Sequence, residues 1–275
     1  MRNGTCKLCG GQDGETVLDV SGCPDTYLDY LGIDYRHRPR RYLRCHHCQM
    51  IFRDPMLNTE EKDLLYRHFR DTSLRNETHE AYFDRIARLP PAQSENHEKC
   101  QFLRPYLSPT GRLLDVGAGF GVFIHQFMKA FPDWQTLGIE PTSGVAETAR
   151  HHGVHLVETY LTETTQETIG ADFDLITVNH VLEHLDDPGG FLNTVRGYLS
   201  RGGLLYVEVP SAADIGVLDP AHDRFMCQHE VIFDPSALRR LLEANGLEII
   251  ELQSFESKRR RNNLRSLCRR ADTLS

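Results

Sequence analysis

The sequence predicts an α/β protein, a doubly wound and mostly parallel seven-stranded sheet standing behind a small cysteine-paired module. Three observations predict it. From Arg112 onward short apolar runs alternate with amphipathic stretches, the rhythm of strands alternating with helices. The first 55 residues instead hold two Cys-x-x-Cys pairs among turn-forming residues, and a glycine-rich turn follows the first apolar run of the α/β part.

In chain order, Gly22, Pro24, Gly32 and Pro39 mark turns and short strands between the cysteine pairs. Helical spacing of Leu, Tyr, Phe and Ile predicts helices over 58–69 and 76–89, the second closed by Pro90-Pro91. A third helix is expected over 94–104, ended by Pro105. Then come strand 112–116, helix 121–131, strand 136–140, helix 143–152 and strand 154–157. They are followed by strand 173–178, helix 188–199, strand 203–209, helix 235–244, strand 247–252 and a last strand in NNLRSLCRR. The expected units are a module over 1–56, a helical linker or lid over 57–108 and a ligand-binding domain over 109–275.

Composition narrows the function. The formal charge of -8 disfavours a general nucleic-acid coat protein, since phosphate backbones are held by Lys and Arg. There is no apolar run of about 18 residues and no apolar leader in the first thirty, so a cytoplasmic protein with no membrane segment is expected. In a reducing compartment, paired cysteines argue for metal before disulfides.

The strongest stretch is LLDVGAGFGVF, where an apolar strand carrying Asp115 runs into Gly117, Ala118, Gly119 and Gly121. Glycines let the backbone turn tightly against a ligand, and the next helix offers its N-terminus. A dinucleotide loop wants its third glycine three places after the second, and Val122 stands there. Asp115 would repel a pyrophosphate and attract the ammonium or sulfonium of S-adenosylmethionine (SAM). The second strand ends at Glu140, whose carboxylate suits two ribose hydroxyls.

Residues 112–210 resemble class I SAM-dependent methyltransferases, in the Asp-x-Gly-x-Gly-x-Gly loop, the acid-ended second strand, FDLITVNHVLEHLDDP and GGLLYVEVP. The resemblance implies the Rossmann-like methyltransferase fold. It also implies that Asp115, Gly117 and Gly119 hold the methionine end, that Glu140 holds the ribose, and that Asn179 and His180 line the methyl side.

Cys6, Cys9, Cys45 and Cys48 can close a tetrahedral four-thiolate site of the zinc-ribbon type, with no open position and hence a structural metal. His46 and His47 are the alternative ligands. Six arginines and no acid lie between Tyr35 and Arg53, a segment able to meet an anionic substrate or to offset the zinc–thiolate charge.

Candidate bases are His180, His184, His222, Asp223, His229 and Glu230, with His229 and His180 favoured. The four-cysteine module fused to this fold resembles the sugar C-methyltransferases acting on nucleotide-linked deoxyketosugars, over residues 6–270. That resemblance implies His229 as the base of a Tyr-x-Glu-His motif, although Met226 and Gln228 replace the tyrosine and glutamate. The family's additional C-terminal domain is expected to be missing. The expected function is SAM-dependent methylation, at carbon or oxygen, of a small acceptor such as a nucleotide-linked sugar. The competing readings are an RNA or protein methyltransferase gripping a macromolecule through the zinc module, and a non-catalytic SAM-binding regulator.

Overall fold

A computed structural model describes residues 5–271 apart from 7, 12 and 143. The expected start of a helix at residue 143 and the last four residues of the 109–275 unit lie outside the described residues.

The N-terminal part folds as β1 (Gly14–Asp19), α1 (Thr26–Tyr30), β2 (Arg41–Cys45) and β3 (Ile51–Asp54). The linker holds α2 (Thr59–His68), α3 (Thr72–Arg75), α4 (His79–Ala87) and α5 (Glu95–Leu103). Side chains fix the helix starts. Asn58 and Glu61 form a capping box on α2, and Ser94 accepts from the His97 N–H on α5.

The α/β part runs β4 (Gly111–Val116), α6 (Val122–Ala130), β5 (Trp134–Ile139), α7 (Val145–His151), β6 (Leu156–Val157), α8 (Gln166–Ile169) and β7 (Phe173–Asn179). It continues with α9 (Pro188–Tyr198), β8 (Leu199–Pro210), β9 (Val231–Ile232), α10 (Pro235–Ala244), β10 (Leu247–Glu256) and β11 (Asn262–Arg270). Seven strands form one sheet in the order β10-β11-β8-β7-β4-β5-β6. The strands from β8 to β6 are parallel, and β11 runs antiparallel to both of its neighbours. This is the doubly wound, seven-stranded sheet that the sequence predicts.

Alternation along the strands feeds a core on each face. On one face Leu113 and Leu175 pack with Phe123 and Phe127 of α6 and Leu103 of α5. On the other, Leu114, Ile176 and Leu205 meet Leu192 and Val195 of α9 and Leu238 and Leu241 of α10. Both faces are therefore apolar, as a buried parallel sheet requires. No helix of the described residues is long and apolar enough to cross a membrane.

The module is not closed on itself. Its sheet has the order β1-β2-β3-β9, so a strand from the segment after β8 completes it. The Arg53 N–H donates to the Glu230 carbonyl at 2.8 Å, and the Tyr42 hydroxyl donates to the His229 carbonyl at 2.8 Å. Asp25, fully buried, pairs with Arg40 at 3.1 Å and accepts the Cys227 N–H at 2.8 Å. Removing one partner of such a buried pair leaves an uncompensated charge. Asp25→Ala should therefore lower the unfolding free energy by about 3–5 kcal/mol in urea titration; an unchanged midpoint would show that this junction carries no stability.

Candidate functional site

The carboxyl ends of adjacent parallel strands β4 and β5 each carry an acid, of which Asp115 lines the cavity described below and Glu140 stands behind the glycine loop. Asp115 pairs in register with Gly138, and Glu140 follows the last residue of β5. Asp115 Oδ1 accepts from the Thr177 hydroxyl at 2.6 Å and from Asn179 Nδ2 at 3.1 Å, which aims its carboxyl at the loop. Burial pushes its pKa up to about 6, against those two hydrogen bonds. Asn179 Oδ1 is buried without a hydrogen-bond partner.

The glycine loop lies between the two acids. Gly117 has φ +72°, and a Cβ there would sit 2.5 Å from Val181 Cγ2, so only glycine fits. Gly119 has φ +55° and faces the Arg70 guanidinium, 3.2 Å from where its Cβ would be. Four of the loop's N–H groups are bonded within the protein. Those of Gly117 and Ala118 donate to the Ile139 carbonyl at 2.9 and 3.0 Å, that of Gly119 to Glu140 Oε2 at 3.0 Å, and that of Gly121 to the Ala118 carbonyl at 2.9 Å. A phosphate needs such donors free and convergent. This loop presents carboxylates instead. Its glycines and both acids stand together at the carboxyl ends of β4 and β5.

A cavity of ≈ 370 Å³ continues from this cradle. Its walls include Asp115, Asn179, His180, His184, Gln228 and His229. Of the other candidate bases, Asp223 also lines it, whereas His222 and Glu230 do not; Glu230 instead accepts the Leu57 N–H at 3.2 Å.

His180 does not fit the role of a base. Its Nδ1 lies 3.0 Å from Glu183 Oε1 and its Nε2 3.1 Å from Glu208 Oε1, so both nitrogens are occupied by carboxylates. Burial opposes its charge, but the two acids prevail and hold it at about 9. His180 is then an imidazolium at neutral pH, with no lone pair to offer. In return Glu183 is held at about 2 against its burial, and Glu208 well below the usual carboxylate range, also against burial, with Lys99 Nζ 3.4 Å away adding to His180.

His229 is the opposite case. Its Nδ1 lies 2.6 Å from the Arg224 carbonyl, and since a carbonyl can only accept, the ring proton is on Nδ1 and the lone pair on Nε2. Burial, with His184 beside it, pushes the pKa down to about 4. His184 has the same arrangement against the Gln228 carbonyl at 2.6 Å. Gln228, in the place where a glutamate was expected, donates to the Asp223 carbonyl and leaves Oε1 buried without a partner.

Three groups in or beside the cavity carried no recognisable sequence signal: Arg70, Lys99 and Glu208. Arg70 is sandwiched between the Phe69 and Phe120 rings, with a terminal nitrogen 3.9 Å from Glu140 Oε2. Each belongs to an element far along the chain from the motif it serves.

In the module, Cys6 Sγ lies 3.4 Å from Cys48 Sγ and Cys9 Sγ lies 3.5 Å from Cys45 Sγ, and all four sulfurs fall within 4.8 Å of one another. Four sulfurs about 2.3 Å from one tetrahedral ion stand about 3.8 Å apart, so the set fits zinc. His46 and His47 are outside this cluster. The neighbouring arginines do not form a free basic face. Arg36, Arg38, Arg40, Arg41 and Arg44 pair with Asp29, Glu61, Asp25, Asp54 and Asp234.

Comparison with known proteins adds the following. The chain is 28% identical over 152 residues to a ubiquinone biosynthesis O-methyltransferase of Nitrobacter winogradskyi, covering 51% of this chain and 58% of that one. It is 24% identical over 147 residues to the C-methyltransferase NovU of Streptomyces niveus, covering 52% and 34%. The match thus spans well under two thirds of either relative. Among solved structures, the 1,6-didemethyltoxoflavin N1-methyltransferase of Burkholderia thailandensis superposes with a TM-score of 0.58 at 19% identity, over 87% of this chain and 99% of that one. The magnesium protoporphyrin IX methyltransferase of Synechocystis superposes with a TM-score of 0.56 at 14% identity, over 76% and 100%. At these identities the two superpositions establish the fold alone. A family model described as a methyltransferase domain matches residues 66–252, which takes in the cradle, the acids and the histidine-lined cavity; the chain belongs to the methyltransferase-domain family.

Proposed function

We propose that this chain transfers a methyl group from SAM to a small acceptor that loses a proton in the reaction, with nucleotide-linked sugars the leading acceptor class. One observation carries the cofactor reading: a glycine loop flanked by Asp115 and Glu140, with the N–H groups of Gly117, Ala118, Gly119 and Gly121 bonded within the protein, suits a cationic nucleoside rather than a phosphate. The unpartnered Asn179 Oδ1 supports it, as an acceptor beside the place of an ammonium group. The paired arginines of the module speak against a surface for RNA.

Bound in this cradle, SAM would supply an electrophilic methyl on a sulfonium, leaving as S-adenosylhomocysteine once the methyl is lost. The protein's part is to hold and to deprotonate. Asp115 and Asn179 would hold the amino group, with Gly117, Ala118 and Gly119 shaping the floor, and Glu140 would take the ribose hydroxyls in exchange for the Gly119 N–H and Thr142. His180, locked by Glu183 and Glu208, fixes the wall. His229 Nε2, neutral and facing the cavity, takes the acceptor's proton as the new bond to the methyl forms. Positioning of the acceptor against the methyl supplies much of the rate in such a displacement. The four cysteines hold a structural zinc that stiffens the sheet to which β9, two residues after His229, belongs.

The nucleotide-sugar reading draws on the four-cysteine module joined to this fold and on the similarity to NovU. Mass spectrometry for S-adenosylhomocysteine and methylated product, over a panel of nucleotide sugars and phenolic acceptors, tests it. His229→Ala should lower turnover by about 10²–10⁴-fold while leaving SAM affinity nearly unchanged; equal turnover in the variant would remove His229 from the reaction. The Asp115 carboxyl gives a second expectation, with a definite sign. With its pKa raised to about 6, it gains a proton as pH falls through 6 and loses its attraction for a cation. In calorimetric titration SAM affinity should fall on going from pH 7.5 to pH 5, by at most about tenfold per pH unit. The Asp115→Asn variant should flatten that dependence, and a wild-type affinity constant across this range would contradict the assignment.

A further inference from the structure

Glu183, His184 and His229 cluster beside the cavity. Glu183 Oε1 is taken by His180, but Glu183 Oε2 is buried without a hydrogen-bond partner, on a residue that is 0% exposed. His184 and His229 each place the Nδ1 proton on a backbone carbonyl at 2.6 Å, so each keeps a lone pair on Nε2. One ligand atom from each of Glu183, His184 and His229 lies within 4.8 Å of the others, and the two rings stand 5.1 Å apart between centroids. A buried acceptor such as Glu183 Oε2 needs a donor or a cation.

The donor set itself indicates what would fill the space. Two neutral imidazoles and one carboxylate suit a borderline divalent ion such as zinc, held at about 2.0–2.2 Å from each ligand. Both imidazoles already have what metal-ligating histidines require, an outer carbonyl that fixes the tautomer and turns Nε2 inward. Tetrahedral ligands at that distance stand about 3.4 Å apart, so the largest separation has to close by at most about 1.4 Å, within reach of side-chain rotation. His184 and His229 both line the open cavity, which gives an ion a way in and leaves a coordination position facing the acceptor.

We propose that Glu183, His184 and His229 form a site for a borderline divalent cation, separate from the four-cysteine cluster, and that the ion inhibits methyl transfer by occupying the His229 lone pair. The site stands on its own geometry; the inhibition rests on His229 being the proton acceptor proposed above. The test uses the full chain, equilibrated with excess zinc, desalted, and assayed for metal per chain by plasma mass spectrometry. The wild type should carry one equivalent more than Glu183→Gln or His184→Asn, with circular dichroism to show that both variants are folded. Equal metal content in folded wild type and variants would overturn the site. Turnover is then measured before and after loading of that extra equivalent, and should be lost on loading. Turnover undiminished with the extra ion bound would overturn the inhibition and His229 as base, and leave the site standing.

Discussion

The adjacency of β4 and β5 is the constraint on which the rest depends. Two parallel strands in register deliver Asp115 and Glu140 to the same edge of the sheet, and the turn between β4 and α6 must pass between them. Four of its N–H groups close on the Ile139 carbonyl, on Ala118 and on Glu140 itself. A strand-to-helix glycine turn is commonly a phosphate cradle because its amides are unpaired; here those of Gly117, Ala118, Gly119 and Gly121 are paired, and two carboxylates stand beside them. The charge of the cleft follows from hydrogen-bond accounting as much as from the two carboxylates.

A second dependence runs from the module to the far wall. The segment carrying Asp223, Arg224, Gln228 and His229 has almost no regular structure of its own, yet it is held at several points. Arg224 pairs with Asp214 at 2.7 Å and bonds to Asn263, Tyr42 donates to the His229 carbonyl, and β9 completes the module's sheet. An irregular loop can present a catalytic side chain only if a rigid neighbour fixes it. The N-terminal sheet, with four converging thiols at one end, serves as that neighbour, so stabilising the module and aiming His229 are one structural task.

The sheet and most helices were legible in the sequence because their signals are local. Period-two and 3.6-residue patterns, the caps at Asn58 and Ser94, and the glycine loop each lie within a dozen residues. The last strand matches NNLRSLCRR at both ends. What was not legible is non-local. The raised pKa of His180 depends on Glu183 and on Glu208, the latter 28 residues away on β8. A histidine beside one acid reads as a base; between two buried acids it is a fixed charge. The pairing of β3 with β9 escaped for the same reason, since two residues of strand leave no period to detect. Likewise the arginines read as a basic face only until the acids that pair with five of the six, Arg36, Arg38, Arg40, Arg41 and Arg44, are placed beside them, and the sixth, Arg53, is buried.

The central claim is that the cleft between β4 and β5 selects a sulfonium nucleoside over a phosphate-bearing one. The most direct measurement is calorimetric titration of the full chain at pH 7.5 with SAM, ATP and NAD in separate runs. Saturable, one-to-one binding of SAM with no binding of ATP or NAD is the predicted result. Saturable binding of either phosphate ligand in competition with SAM would contradict it, because the two carboxylates beside the loop would then fail to repel a phosphate.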